Sequence, residues 1–309
     1  MFSFAKRMQK GGLVAVGLPP GRVQCARFAS GDGRPQLDRW LDLAMPGTRR
    51  QNLSQLAKDH GFKSARCSCL LAPSDYRLIQ AEAPAVPDEE ARDALRWQLR
   101  DQVDVPVATA VIDYLPLPDL GNSSRPQQVF AALAADTVIA PLVQDFQEAA
   151  LGLQVIDLPE MAQRNIAALF EAENRGLAFL AFAEQSALLT FNFQGALFAM
   201  RRIEIGAAQF AAATPERREQ LAERVVLEMQ RSMDTVDRQF SEISLSRLVV
   251  ALPPDSGLET HFANAFYLPF EPMDLSTLLD FSAYPELLDP EQQRRALPVL
   301  GAALRQEAA

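Results

Sequence analysis

The stretch Leu177 to Gly206, LAFLAFAEQSALLTFNFQGALFAMRRIEIG, decides how this chain is read. Three apolar runs follow one another, broken first at Ala183-Glu184-Gln185 and then at Asn192 to Gly195. Short apolar runs bounded by polar or glycine-containing breaks predict strand, loop, strand, turn, strand. The pattern predicts a three-stranded unit lying past the midpoint of the chain.

Composition supports two halves. The chain has 309 residues, 48% apolar and 22% charged, enough to bury a large core in two lobes. A net charge of -9 argues against general nucleic-acid binding, which needs a concentrated basic surface. Cys67 and Cys69 lie two apart on a predicted strand and Cys25 is remote, which makes neither a disulfide framework nor a zinc pattern. No apolar run approaches the roughly 20 residues of a membrane-spanning helix. The start, MFSFAKRMQKGG, lacks the apolar core of a signal peptide. The expectation is a cytoplasmic protein, soluble or peripheral to a membrane. Phe2, Phe4 and Met8 among Lys6, Arg7 and Lys10 read as a frayed terminus in preference to a weak lipid anchor.

Upstream of the opening stretch, Leu13 to Gly17 and Arg22 to Phe28 read as strands around a Pro-Pro-Gly turn, with a third strand after Pro35. A helix is expected over Arg50 to His60 and strands over Arg66 to Leu71 and Tyr76 to Ala81. Acids at Asp88, Glu89 and Glu90 and the stripe Ala91, Leu95, Leu99 predict a helix reaching Val103. Strands over Ala110 to Leu115 and Val129 to Ala134, a helix from Asp136, a strand at Leu153 to Ile156 and a helix from Pro159 to Glu173 complete the first half. Downstream, Leu221, Val225, Met229, Met233, Val236 and Phe240 stripe a long helix over Pro215 to Phe240. A strand at Arg247 to Leu252, a short helix at Glu259 to Phe266 and a closing helix from Pro290 to Arg305 follow. Both halves share the order strand, turn, strand, strand, helix.

Several segments carry a likeness to a known family. Asp75 to Pro118, DYRLIQAEAPAVPDEEARDALRWQLRDQVDVPVATAVIDYLPLP, sets a charged helix before an acidic, proline-containing turn and a strand with Asp-Tyr. Glu228-Met229-Gln230-Arg231-Ser232-Met233-Asp234 and the ending Ala296 to Arg305 are the others. Together they resemble the actin-like family of pilus assembly proteins, PilM and its MSHA-pilus relative MshI, and more distantly FtsA. The resemblance implies an α/β, actin-like (ribonuclease H-like) two-lobed fold. Its lobes would be residues 1–175 and 176–309, with an FtsA/PilM-type inserted subdomain over about 73–155.

The departures from the family's nucleotide-binding members bear on function. Where those carry an Asp two residues before the first-turn glycine, this chain has Ala15 before Gly17. In the second phosphate loop, Ala181 and Ala183 replace an acid and a glycine, and Pro253-Pro254 replace a late glycine cluster. A prolyl nitrogen donates no hydrogen bond and alanine holds no magnesium-bound water. A degenerate ATPase cleft with no cofactor is expected, ATP and magnesium being the alternative, with Glu184 and Asp255 as the nearest acids. His60 and His261 are too isolated for a metal or acid/base site, and no catalytic residue is assigned. By the resemblance, the inserted subdomain receives the cytoplasmic tail of a PilN-like bitopic inner-membrane protein and couples it to motor components such as the pilus ATPase. The corresponding surface would involve Tyr76, Leu78, Trp97, Val103, Val105 and Asp113, with the tail adding to a strand edge. A cytoplasmic module resembling the GspL component of type II secretion is the second reading.

Overall fold

The computed structural model describes residues 12–29, 33–103, 106–118 and 126–305. The first half runs β1 (Val14–Gly17), β2 (Arg22–Phe28), β3 (Leu37–Ala44), α1 (Arg49–Asp59) and β4 (Arg66–Leu70). Then come β5 (Tyr76–Glu82), α2 (Asp88–Gln98), β6 (Val111–Pro116), β7 (Gln128–Ala134), α3 (Asp136–Glu148), β8 (Gly152–Asp157) and α4 (Pro159–Ala167). The second half runs β9 (Gly176–Phe182), β10 (Ala187–Phe193), β11 (Ala196–Ile203), α5 (Ala207–Ala211) and α6 (Pro215–Gln239). It closes with β12 (Leu245–Ala251), α7 (Leu258–Ala265), β13 (Phe270–Pro272) and α8 (Pro290–Ala303).

Two five-stranded sheets share one plan. In the order β3-β2-β1-β4-β8, three antiparallel strands are extended by two parallel ones. The order β11-β10-β9-β12-β13 repeats it. The opening stretch supplies β9, β10 and β11, and β9 is buried along its whole length, as an unbroken apolar run requires when both faces of a sheet are covered. Helix α6 starts at Thr214, whose hydroxyl accepts from the Arg217 amide, and buries the predicted stripe from Leu221 to Val236 against the second sheet.

A third sheet, β5-β7-β6, spans residues 76 to 134. One face packs on α2 through Leu95 and Leu99; the other, with Tyr76 and Phe130, joins the apolar core around α1 and α3. The inserted unit is therefore narrower than 73–155, because α3 packs on α1 and β8 pairs with β4 in the first sheet. Helix α2 ends at Gln98, not Val103. Its apolar stripe stops at Leu99, and the polar residues beyond have no core to cover. Likewise α4 ends at Ala167, before Glu173, its last turn tightened by bonds from the Leu169 and Phe170 amides to Ile166 and Ala167.

Helices α4 and α8 lie between the two large sheets and pack on each other, and α8 also crosses β1, β2 and β4. The closing helix, expected within the second lobe, thus covers the first sheet. Its floor is the cross-strand row Ala26, Ala15, Ser68, whose small side chains admit a close helix. A Cβ on Gly17 would sit 2.5 Å from Val299 Cγ2, and one on Gly301 would enter the carbonyl of Ala162 on α4. One apolar cluster joins residues of both sheets with both helices. On the β3 side the halves meet again, where the Leu37 amide donates to Asp280 O at 3.0 Å and the Tyr284 hydroxyl to Asp38 O at 3.1 Å.

Candidate functional site

Two of the positions expected to line a nucleotide cleft, Ala15 and Ala181, lie along this seam. Ala15 is fully buried and Ala181 is 9% exposed, both within the apolar cluster that contains Leu297, Val299 and Leu300. Neither supplies a carboxylate, and the space beside them is hydrocarbon. Ala183 is exposed, but the turn it begins is already held. Arg294 of α8 is 4% exposed; its Nη1 donates to Phe182 O at 2.5 Å and its Nη2 lies 3.1 Å from Glu184 Oε1. Glu291 accepts from Arg294 Nε at 2.6 Å, and these bonds hold the Glu291 carboxyl below the usual range against the opposing pull of burial. Glu184, the nearest acid, is therefore an ion-pair partner. Pro253 is buried, Pro254 exposed, and Asp255 sits in a left-handed turn. Ala15 and Ala181 offer a magnesium ion no carboxylate at their positions, and Pro253 and Pro254 offer no amide donor at theirs.

His261 closes a surface contact, with its ring nitrogens 3.0 Å from Gly257 O and 3.0 Å from Glu219, and His60 caps α1. Among the described residues no cluster of His, Cys, Asp or Glu could hold a metal ion. All three cysteines are buried and unpaired, and burial pushes the Cys67 and Cys69 thiols up to about 12. Also among the described residues, no helix is long and apolar enough to cross a membrane.

The residues expected to bind a partner do not form one surface. Leu78 lies on β5 and Asp113 on β6, the opposite edges of the inserted sheet with β7 between them. A single extended tail cannot add to both. Tyr76 is 5% exposed and faces inward, its hydroxyl bonded to Glu160. Trp97 is 72% exposed on α2, with the Arg100 guanidinium 5.8 Å from its ring centre. Asp113 pairs with Arg92 at 2.9 Å, Val103 is half-buried, and Val105 lies outside the described residues.

A cavity of about 270 Å³ opens beside the start of β5, and sequence reasoning missed it. Its walls come from four segments far apart in the chain: the β1–β2 turn Leu18 to Arg22, Gly47 to Asn52 at the start of α1, Leu70 to Asp75 before β5, and Val138 and Leu142 of α3. The β1–β2 turn therefore lines a groove at the base of the inserted sheet. Its polar walls are preorganised. Asn52 Nδ2 donates to Met45 O at 2.8 Å and Gly47 O at 3.2 Å, and Arg49 Nε donates to Asp145 Oδ2 at 2.6 Å. Burial would raise the Asp145 carboxyl, yet its bonds to Arg49 and Arg50 hold it below the usual carboxylate range, so Arg49 keeps its anchor at neutral pH. Asp75, partly exposed, and Ala72, exposed, form the rim.

No model of a known protein family matches the chain, and no curated protein sequence does. Solved structures do. The chain is similar to a chain of the PilM-PilN type IV pilus biogenesis complex with a TM-score of 0.72, at 17% identity, over 96% of this chain and 97% of that one. A protein of actin-like ATPase fold and unknown function from Bacteroides thetaiotaomicron matches with a TM-score of 0.50, at 10% identity, over 94% and 99% of the two chains. The cytoplasmic domain of EpsL, an inner-membrane component of the type II secretion system of Vibrio cholerae, matches with a TM-score of 0.50 at 13% identity, over 86% and 91%. The chain has the actin-like, two-lobed α/β fold, with a strand-rich insertion in its first half.

Proposed function

We propose that this protein is a non-catalytic scaffold of a type IV pilus assembly platform, holding the cytoplasmic tail of a PilN-like inner-membrane protein in the groove beside Asp75. The carrying observation is the end-to-end likeness to a chain of the PilM-PilN complex, in a molecule whose first turn walls a groove at the inserted sheet. A groove built from preorganised polar walls and leucines suits an extended peptide, which offers main-chain groups and one or two side chains at once. The MSHA type of pilus is the finer reading, supported by the segments Asp75 to Pro118 and Glu228 to Asp234. Such a protein works in the cytoplasm, reaches the inner membrane through its partner, and passes the contact on to the motor ATPase. The likeness to the EpsL domain supports a second reading, a type II secretion module. Neighbouring genes for MSHA pilins favour the first, and genes for secretion-channel components the second.

Binding of a synthetic peptide carrying the N-terminal tail of the PilN-like protein from the same organism tests the groove. Ala72→Trp, on the exposed rim, is expected to weaken binding at least tenfold by filling the groove. Trp97→Ala, on the far side of the inserted sheet, should leave it unchanged. Equal binding by wild type and Ala72→Trp, or by the partner after its tail is removed, would sink the assignment.

A further inference from the structure

Outside the groove, one buried polar point ties the inserted sheet to the second half of the chain. Glu160, in the first turn of α4, is 1% exposed. The Tyr76 hydroxyl donates to its Oε2 at 2.5 Å, and Arg202 Nη2 donates to its Oε1 at 2.5 Å. Arg202 Nη2 also lies 3.4 Å from the Tyr76 oxygen. The three residues come from three bodies: the first residue of β5, the helix between the lobes, and β11, the outer strand of the second sheet. Burial, together with the Glu160 carboxylate, raises the Tyr76 phenol far above its ordinary value, so it remains a donor. Met161, next to Glu160 on α4, belongs to the apolar core of the first half.

The flanking residues extend this point in two directions. Asp75, immediately before Tyr76, lines the groove. Arg201, immediately before Arg202, pairs with Glu228 of α6 at 2.8 Å. A buried carboxylate cannot lose one of two donors cheaply. A shift of β5 that keeps the Tyr76 bond carries Glu160 with it, and Arg202, bonded to the same carboxylate, transmits the shift to β11.

We propose that Tyr76, Glu160 and Arg202 form a latch through which a change at the groove reaches β11 and α6, so that occupancy of the groove sets the state of the outer face of the second lobe. The identity of the natural occupant rests on the function proposed above; the latch does not. Its energetic content is a coupling between two strands that share no backbone bond.

Hydrogen exchange on the full chain reads the coupling directly. Tyr76→Phe, which removes one hydroxyl from β5, should speed exchange of β11 amides 196–203 at least tenfold. Arg202→Met should do the same for β5 amides 76–82, and β3, at the far edge of the first sheet, serves as the unaffected reference. Ala72→Trp, a built-in occupant of the groove, should change β11 exchange at least threefold in the wild-type background and leave it unchanged beside Tyr76→Phe. Effects confined to the mutated strand, or an Ala72→Trp response that survives Tyr76→Phe, would overturn the latch. If the crossed exchange effects appear but the tail peptide fails to bind, the latch stands and the pilus reading falls. If the peptide binds and the effects stay local, the reverse holds.

Discussion

Gly301→Ala is expected to destabilise the protein by about 4 kcal/mol, lowering the thermal midpoint by roughly 10 °C. Gly301 is buried where α8 crosses α4, and a Cβ there would meet the carbonyl oxygen, carbonyl carbon and Cα of Ala162. Overpacked side chains ordinarily relieve strain by changing rotamer, at a cost of about 1–3 kcal/mol. Here the obstacle is backbone, so the helices must separate. That separation strains the Asn165 Nδ2 bond to Gly301 O at 2.9 Å, and with it the three bonds by which Gln163 Nε2 holds Phe179 O, Leu188 O and Thr190 Oγ1. The damage therefore spreads to both sheets. Gly21→Ala is the control: Gly21 has a positive φ of 68° and open space around it, so only the left-handed penalty of about 1–2 kcal/mol applies. Urea midpoints of the two variants measure the difference. Equal losses would show that the helix crossing does not hold the lobes together.

Arg294→Met comes second, with an expected loss of about 3 kcal/mol in the same assay. Methionine fills most of the volume, so the loss isolates the hydrogen bonds. The Phe182 carbonyl loses its charged donor, Glu291 keeps only Arg295 at 2.8 Å, and Glu184 loses its closer partner. Arg295→Met on the next residue removes an exposed pair and should cost under about 1 kcal/mol. Because Arg294 pins the second turn, its loss should also speed amide exchange in residues 182–186. Unchanged exchange there would mean that α8 does not restrain the turn.

How far the chain could be read in advance depended on whether a feature was local. The opening stretch and the Pro215 helix carry their period, their breaks and their caps within 25 to 30 residues, and both fold as their pattern dictates. The three-residue strand β13 has no period to detect and exists only because it pairs with β12. Helix α8 reads as an amphipathic helix, yet nothing in its own residues says that it crosses β1 as well as α4; that follows from the alanine floor and from Gly301, which become meaningful only once the strands are in order. The resemblance puts Leu78 and Asp113 on one surface, whereas β7, which starts at Gln128 after β6 ends at Pro116, inserts between them. The same resemblance puts Tyr76 on the partner surface; its inward turn is decided by Glu160, 84 residues away. The groove was invisible for the same reason, since none of its four wall segments is unusual alone.

Under the proposed function this fold holds a partner and takes no nucleotide, with Ala15, Ala181 and the Arg294 bonds occupying positions that a nucleotide would need. Calorimetric titration of the purified full chain with millimolar ATP or ADP and magnesium, followed by a thermal scan of the same samples, tests it most directly. A ligand that binds only the folded state raises stability with the logarithm of its saturation, so even weak binding registers at these concentrations. The account predicts no heat of binding and no shift of the midpoint. A magnesium-dependent shift of several degrees, saturating with nucleotide, would contradict it and return the chain to the nucleotide-driven members of its fold.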